Sequence, residues 1–225
     1  GSQILKTQPF KRAFNKVLSF TNNLEKKGHS IKNIDIGGGI GVNYSDEIGN
    51  NEFLIEYTNL IKTIYKNSNK TIILEPGRYL LANCGILVTQ VLYRKISENK
   101  NFLILDAGMN NLMRPALYDA KHNIKPLKKE SQKSNCLDYE VVGPICETAD
   151  ILSKKSNLSK NISQGDYFFI DKVGAYGSVM SSSYNSKDLA SEILVKDEKF
   201  YEIKKRINTE DLIEFESIAP WLKKN

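Results

Sequence analysis

The chain has 225 residues, of which 40% are hydrophobic and 26% charged, with a net charge of +6; that composition excludes an intrinsically disordered chain and fits a soluble protein of one large or two modest domains. No apolar run approaches ~20 residues, so no membrane-spanning helix is predicted. The positive charge is mostly lysine interleaved with Ser and Asn, without aromatic punctuation, which argues against nucleic-acid binding.

Residues 8–28 place Phe10, Ala13, Phe14, Val17, Leu18 and Leu24 at helical spacing, with Pro9 near the start and Gly28 near the stop. An amphipathic helix is predicted there. Residues 31–36 read as a strand, and NIDIGGGIGVNY (33–44) runs from it into a glycine-rich loop. A second helix is predicted over 51–67, with Leu54, Tyr57, Ile61 and Ile64 on one stripe. TIILE (71–75) is the next strand and runs into EPGR. Strand, loop, helix and strand in that order are the grammar of a parallel α/β sheet or barrel.

From about residue 86 the pattern changes to strands, predicted over 86–95, 101–108, 139–144, 166–172, 192–196 and 200–206. Only the tail 209–216 reads as helical again, with Thr209 as its N-cap. The lysine-rich stretches 125–133 and 154–160 are expected to be solvated loops. Two domains follow: an α/β part over 1–85 and a mostly β part over 86–225. An α/β part of ~80 residues holds about two or three βα units, whereas a closed barrel takes eight and ~250 residues. If it belongs to a barrel, roughly five units lie outside this sequence.

The glycine loop admits three readings. A dinucleotide fingerprint fails, because the third glycine position holds Val42 when counted from Gly37 and Tyr44 when counted from Gly39. Asp35, Gly37, Gly39 and Gly41 also resemble the first motif of S-adenosylmethionine-dependent methyltransferases, with Glu75 as the acid ending the next strand. The third reading is a phosphate cradle of converging backbone N–H groups. Four glycines in five residues exceed what a tight turn needs.

Four segments further along narrow the choice. Glu75-Pro76-Gly77-Arg78 closes a strand with an acid and a base. DAGMNNLMRPALYDAKH (106–122) carries Arg114 and Tyr118, GPICETAD (143–150) places Cys146 beside Glu147, and GAYGSVMSSSYN (174–185) sets Tyr176 between small residues. Together with the glycine loop, these resemble the PLP-dependent, fold-type III amino-acid decarboxylases, and within them the branch acting on meso-diaminopimelate. The resemblance runs along the whole chain.

It implies the last part of a PLP-binding (β/α)8 barrel over 1–85, followed by a C-terminal β-barrel or β-sandwich domain over 86–225. The implied reaction is decarboxylation of meso-2,6-diaminopimelate to L-lysine, with pyridoxal 5'-phosphate as cofactor and no metal. Ser2, Gly37, Gly38 and Gly39 would hold the cofactor phosphate, and Glu75 in the Pro76-Gly77 turn would face the pyridine nitrogen. Arg78 would contact phosphate or substrate carboxylate. Arg114 and Tyr118 would grip the distal carboxylate, Glu147 the distal ammonium, and Tyr176 both phosphate and substrate. Cys146 is the implied proton donor. A carboxylate plus an ammonium at the far end of the substrate calls for such a set of cations and acids.

The family's cofactor-anchoring lysine and ring-stacking histidine are expected upstream of Gly1, so the chain reads as a C-terminal portion, inactive and poorly stable alone. A homodimer sharing its active sites is implied, in a cytoplasmic setting that three unspaced cysteines also fit. Cys84 and Cys136 are expected to be packing residues, and His29 and His122 structural or exposed. Two departures stand out: SKDLASEILV (186–195) lacks the family's arginine–proline pair, and Thr148 replaces a commoner serine. A non-catalytic relative acting as a binding partner is the reading from a different class.

Overall fold

Phe10 and Phe14 stand one helical turn apart and are 4% and 1% exposed, giving the first helix its buried stripe. This helix, α1, spans Thr7–Lys26 and ends where Gly28 turns the chain with φ of 91°. The computed structural model describes residues 1–45, 51–128 and 135–222, and the chain divides into two compact units, Gly1–Gly85 and Ile86–Asn225.

In the first unit β1 (Asn33–Asp35) pairs in parallel with β2 (Thr71–Ile73), in the register Ile34↔Ile72. Two parallel neighbours need a crossover, and α2 (Asn51–Ile64) lies within it. Helices α1 and α2 meet through an aromatic cluster. Phe10 sets its ring edge-to-face on Tyr57 with centroids 4.9 Å apart, and Phe14, Phe53 and Tyr65 complete the layer. The predicted end of α2 at residue 67 is three residues late, since Ser68 N–H already turns back to the Tyr65 carbonyl. A short helix α3 (Gly77–Leu81) leads into a 3₁₀ turn at Ala82–Cys84.

The second unit is built on a six-stranded sheet. Its strands are β3 (Leu87–Lys95), β4 (Asn101–Leu105), β5 (Ile124–Pro126), β6 (Cys136–Val142), β7 (Ile151–Ser159) and β8 (Tyr167–Ile170), ordered β5-β8-β3-β4-β6-β7. All neighbours are antiparallel except β4 and β6. Alternate residues point to one core: Leu103 and Leu105, Tyr139 and Val141, Phe168 and Ile170 are each under 3% exposed. Helix α4 (Arg114–Tyr118) lies between β4 and β5. A separate hairpin of β9 (Glu192–Lys196) and β10 (Lys199–Lys204) follows, then helix α5 (Thr209–Ile213).

Four expectations need correction. Residues 154–160 are not a loop: all but Lys160 lie in β7, where Leu152 and Leu158 are buried and the intervening Lys154 and Lys155 reach across to Asp119 and Asp138. Of the stretch 125–133, Lys125 and Pro126 belong to β5, while 129–133 fall outside the described residues. The N-cap of α5 is Asn208, in a capping box with Asp211; Thr209 instead donates its hydroxyl to the Ser186 carbonyl. Cys84 and Cys136 are exposed, not packed. Among the described residues no helix is long and apolar enough to cross a membrane.

Candidate active site

The glycine loop leaves β1 and the EPGR turn leaves β2, so both stand at the carboxyl ends of paired parallel strands. That is where α/β sheets present ligands. The glycines are set by two different needs. Gly37 and Gly39 have φ of 71° and 94°, in the left-handed region. Gly38 lies so close to the EPGR backbone that a Cβ would fall 2.1 Å from the Glu75 carbonyl oxygen. Gly41 is pressed against residues 3–5 in the same way.

Hydrogen bonds lock three backbone segments together here. Glu75 N–H donates to the Gly37 carbonyl at 2.9 Å, and Ile4 N–H to the Gly39 carbonyl at 2.9 Å. Gln3, itself at φ of 56°, clasps Val42 by both ends of its amide, at 2.6 and 3.0 Å. Gly37 spends its N–H on the Asp35 carboxylate at 2.7 Å. The Gly38 and Gly39 N–H groups take no hydrogen bond among the described residues. Beside them Arg78 donates to Ser2 Oγ at 3.3 Å and to the Tyr44 hydroxyl at 3.2 Å. Two unsatisfied adjacent amides, a hydroxyl and a guanidinium are a donor set that fits a phosphate. Glu75 is exposed on the same turn, and Pro76 is the N-cap residue of α3.

In the second unit Arg114 opens α4 with Pro115 behind it, and is only 6% exposed. Its Nη1 donates to His122 Nε2 at 2.8 Å, and His122 Nδ1 lies 2.9 Å from the Asp171 carbonyl oxygen. Tyr118, at the other end of α4, is 63% exposed. Cys146 and Glu147 are exposed in the loop between β6 and β7, where Glu147 accepts from the Thr148 hydroxyl at 3.1 Å. Tyr176 sits at φ of 61°, a conformation rare for a bulky residue, and is 41% exposed.

A buried carboxylate joins two of these segments. Asp150 is 3% exposed and receives N–H groups from Met109 at 2.6 Å and Ile145 at 2.7 Å. One donor lies in the segment leading to Arg114 and the other immediately precedes Cys146. Gly108 and Gly143 form the notch around it: a Cβ on Gly143 would fall 2.4 Å from Gly108 Cα and 2.5 Å from an Asp150 oxygen. Burial pushes the Asp150 carboxyl up, against the two N–H groups that stabilise its charge.

Sequence reading therefore gathered Ser2, Gly37, Gly38, Gly39, Glu75, Pro76, Gly77 and Arg78, which the first unit brings to one strand end. It missed Tyr44, Asp150 and the contact of His122 with Arg114. Asp150 lay inside the quoted GPICETAD segment, but nothing in the letters distinguishes a buried loop clamp from a surface acid. His122 likewise ends the quoted 106–122 segment and is buried, whereas His29 is exposed.

Residues 20–174 match the family model for the pyridoxal-dependent decarboxylase, C-terminal sheet domain. Among curated relatives, the diaminopimelate decarboxylase of Zymomonas mobilis is 40% identical over 99% of this chain and 52% of its own length. That of Haemophilus influenzae is 42% identical over 96% of this chain and 51% of its own. The crystal structure of diaminopimelate decarboxylase from Helicobacter pylori complexed with L-lysine superposes with a TM-score of 0.86 at 41% identity, covering 95% of this chain and 52% of that one. The enzyme of M. jannaschii in co-complex with L-lysine gives 0.89 at 31%, covering 99% and 51%. The chain spans about half the length of the curated relatives it matches. A family match of this extent is incompatible with the methyltransferase reading of residues 35–41.

Proposed function

This chain belongs to the pyridoxal-dependent decarboxylase family, and from that premise we propose that it forms the C-terminal half of a diaminopimelate decarboxylase. The reaction converts meso-2,6-diaminopimelate to L-lysine and carbon dioxide. The observation that carries this reading is the similarity, near 40% identity and nearly end to end, to relatives that all bear that one name. The first unit is then the last part of a (β/α)8 barrel, and the second a C-terminal β-barrel or β-sandwich domain. Exposed Phe200, Tyr201, Phe215 and Trp221 support further protein covering this chain, including the second copy of a homodimer.

Pyridoxal 5'-phosphate, when bound, supplies the electron sink that accepts the bonding pair as carbon dioxide leaves. The Gly38 and Gly39 amides, Ser2 and Arg78 would hold its phosphate, with Gly37 shaping the loop and Tyr176 adding a hydroxyl. Glu75, fixed in the Pro76-Gly77 turn, would hold a proton on the ring nitrogen. Arg114 and Tyr118 would orient the substrate by its distal carboxylate, and Glu147 by its distal ammonium. Cys146 would return a proton from its thiol to the carbon that has lost the carboxylate. Three exposed thiols without disulfides fit a cytoplasmic enzyme.

The test is expression of the full-length protein that carries this chain, with its absorption spectrum and lysine formation from meso-diaminopimelate measured together. Lysine release dependent on pyridoxal phosphate is the expected result. A cofactor band without lysine points to the non-catalytic relative, and the absence of both signals overturns the reading. The isolated 225-residue chain is expected to release no lysine.

A further inference from the structure

The contact between Arg114 and His122 has its chemistry fixed by what each atom can do. A guanidinium only donates and a backbone carbonyl only accepts. With Arg114 Nη1 at 2.8 Å from Nε2 and the Asp171 oxygen at 2.9 Å from Nδ1, the imidazole must carry its single proton on Nδ1 and accept at Nε2. His122 is 7% exposed and is therefore a neutral strut between α4 and the segment after β8. A carboxylate in its place would hold the guanidinium as firmly but would neutralise it. A neutral acceptor fixes the plane of the group without itself cancelling its positive charge.

We propose that His122 is a positioning residue that holds the Arg114 guanidinium in the orientation in which it receives the substrate's distal carboxylate. This rests on the reading that Arg114 binds that carboxylate. Arg114 is the first residue of a five-residue helix, and an arginine side chain has many rotamers to lose on binding. Anchoring one nitrogen removes that freedom before substrate arrives, so binding does not have to order it.

Two variants of the full-length protein separate positioning from packing. In His122→Gln the side-chain oxygen reaches the place of Nε2 and keeps an acceptor for Arg114. In His122→Asn the amide reaches only the place of Nδ1, keeping the Asp171 contact and losing Arg114. The expected result is a KM for meso-diaminopimelate raised about tenfold in the Asn variant, the scale of one charge-assisted hydrogen bond. Inhibition by L-lysine, which retains the distal carboxylate, weakens by the same factor, and the Gln variant recovers to within about threefold of wild type. Cadaverine, which lacks that carboxylate, inhibits all three proteins alike. An unchanged KM in the Asn variant, or equal losses toward lysine and cadaverine, overturns the proposal. If the Asn variant fails to fold, the Gln variant decides: a KM near wild type supports the strut, and a tenfold rise refutes it. A second readout is the imidazole ¹⁵N signal of His122, expected in the Nδ1–H form; the Nε2–H form would overturn the assignment without any activity measurement. A wild-type protein that makes no lysine is a different failure, since it removes the premise about Arg114 first.

Discussion

Gly143→Ala is the sharpest test of how the two loops of the second unit are held together. The glycine is not in the left-handed region, so alanine can adopt its backbone and the effect is purely steric. The added Cβ would lie 2.4 Å from Gly108 Cα and 2.5 and 2.6 Å from the two Asp150 oxygens. Ordinary carbon contacts are ~3.5–4.0 Å, so about an ångström of room must be found. The carboxylate can move only by releasing Met109 or Ile145, each a charge-assisted bond of ~1.5–3 kcal/mol. Otherwise the backbone around Gly108 shifts, an overpacking cost of ~1–3 kcal/mol. Both routes converge on a loss of about 2–3 kcal/mol, or ~4–12 °C in Tm for a protein of this size. The assay is thermal and urea unfolding of wild type and variant. Gly77→Ala is the control, since a Cβ there meets nothing within 4 Å. A Gly143→Ala loss below about 1 kcal/mol, the level of an ordinary substitution, would refute the close packing of these loops around Asp150.

Two other residues give predictions of definite sign. Asp150 titrates above the ordinary aspartate value because of burial, so in the window between the two values the native state binds more protons than the unfolded chain. Its contribution to stability is therefore greatest at acid pH and is lost as pH rises through its raised pKa. The urea midpoint of wild type relative to Asp150→Asn should fall across that window, and a rise would reverse the assignment. Tyr57 is 2% exposed, and its hydroxyl has no hydrogen-bond partner among the described residues. Tyr57→Phe should leave stability unchanged or raise it by up to ~1 kcal/mol, and a clear loss would mean that the hydroxyl is satisfied.

The fold was legible wherever burial follows a regular period. α1 could be read from Phe10, Phe14 and Val17, and β3, β4, β6 and β8 from their runs of Val, Leu, Ile and aromatic residues. β7 could not, because five polar residues, Ser153 to Asn157, separate Leu152 from Leu158. Its extended form is imposed by pairing with β6, from Cys136↔Ser159 to Val142↔Ile151, which is a property of the partner strand. β5 is three residues long and ends in proline, too short for any period. The candidate site divides in the same way. Residue types that carry chemistry stood out as motifs, whereas Asp150 and His122 act through single long-range hydrogen bonds that leave no spacing in the chain.

The glycines of NIDIGGGIGVNY show why motif and mechanism are not the same thing. Four glycines invite the inference of a ligand against the backbone. Yet Gly38 and Gly41 are required by the approach of Glu75 and of residues 3–5, and Gly37 and Gly39 by their positive φ. All four would be needed to fold these three segments together even with nothing bound. What points to a ligand is narrower: the two amides of Gly38 and Gly39, which donate to nothing among the described residues, whereas Gly37 bonds to Asp35. The notch of Gly108 and Gly143 is the counter-case within the same chain, where equally tight glycines enclose a protein carboxylate. Close approach thus explains why glycine stands at both places. Only the count of unsatisfied donors separates a phosphate cradle from a structural clamp, and that count exists in the fold and not in the letters.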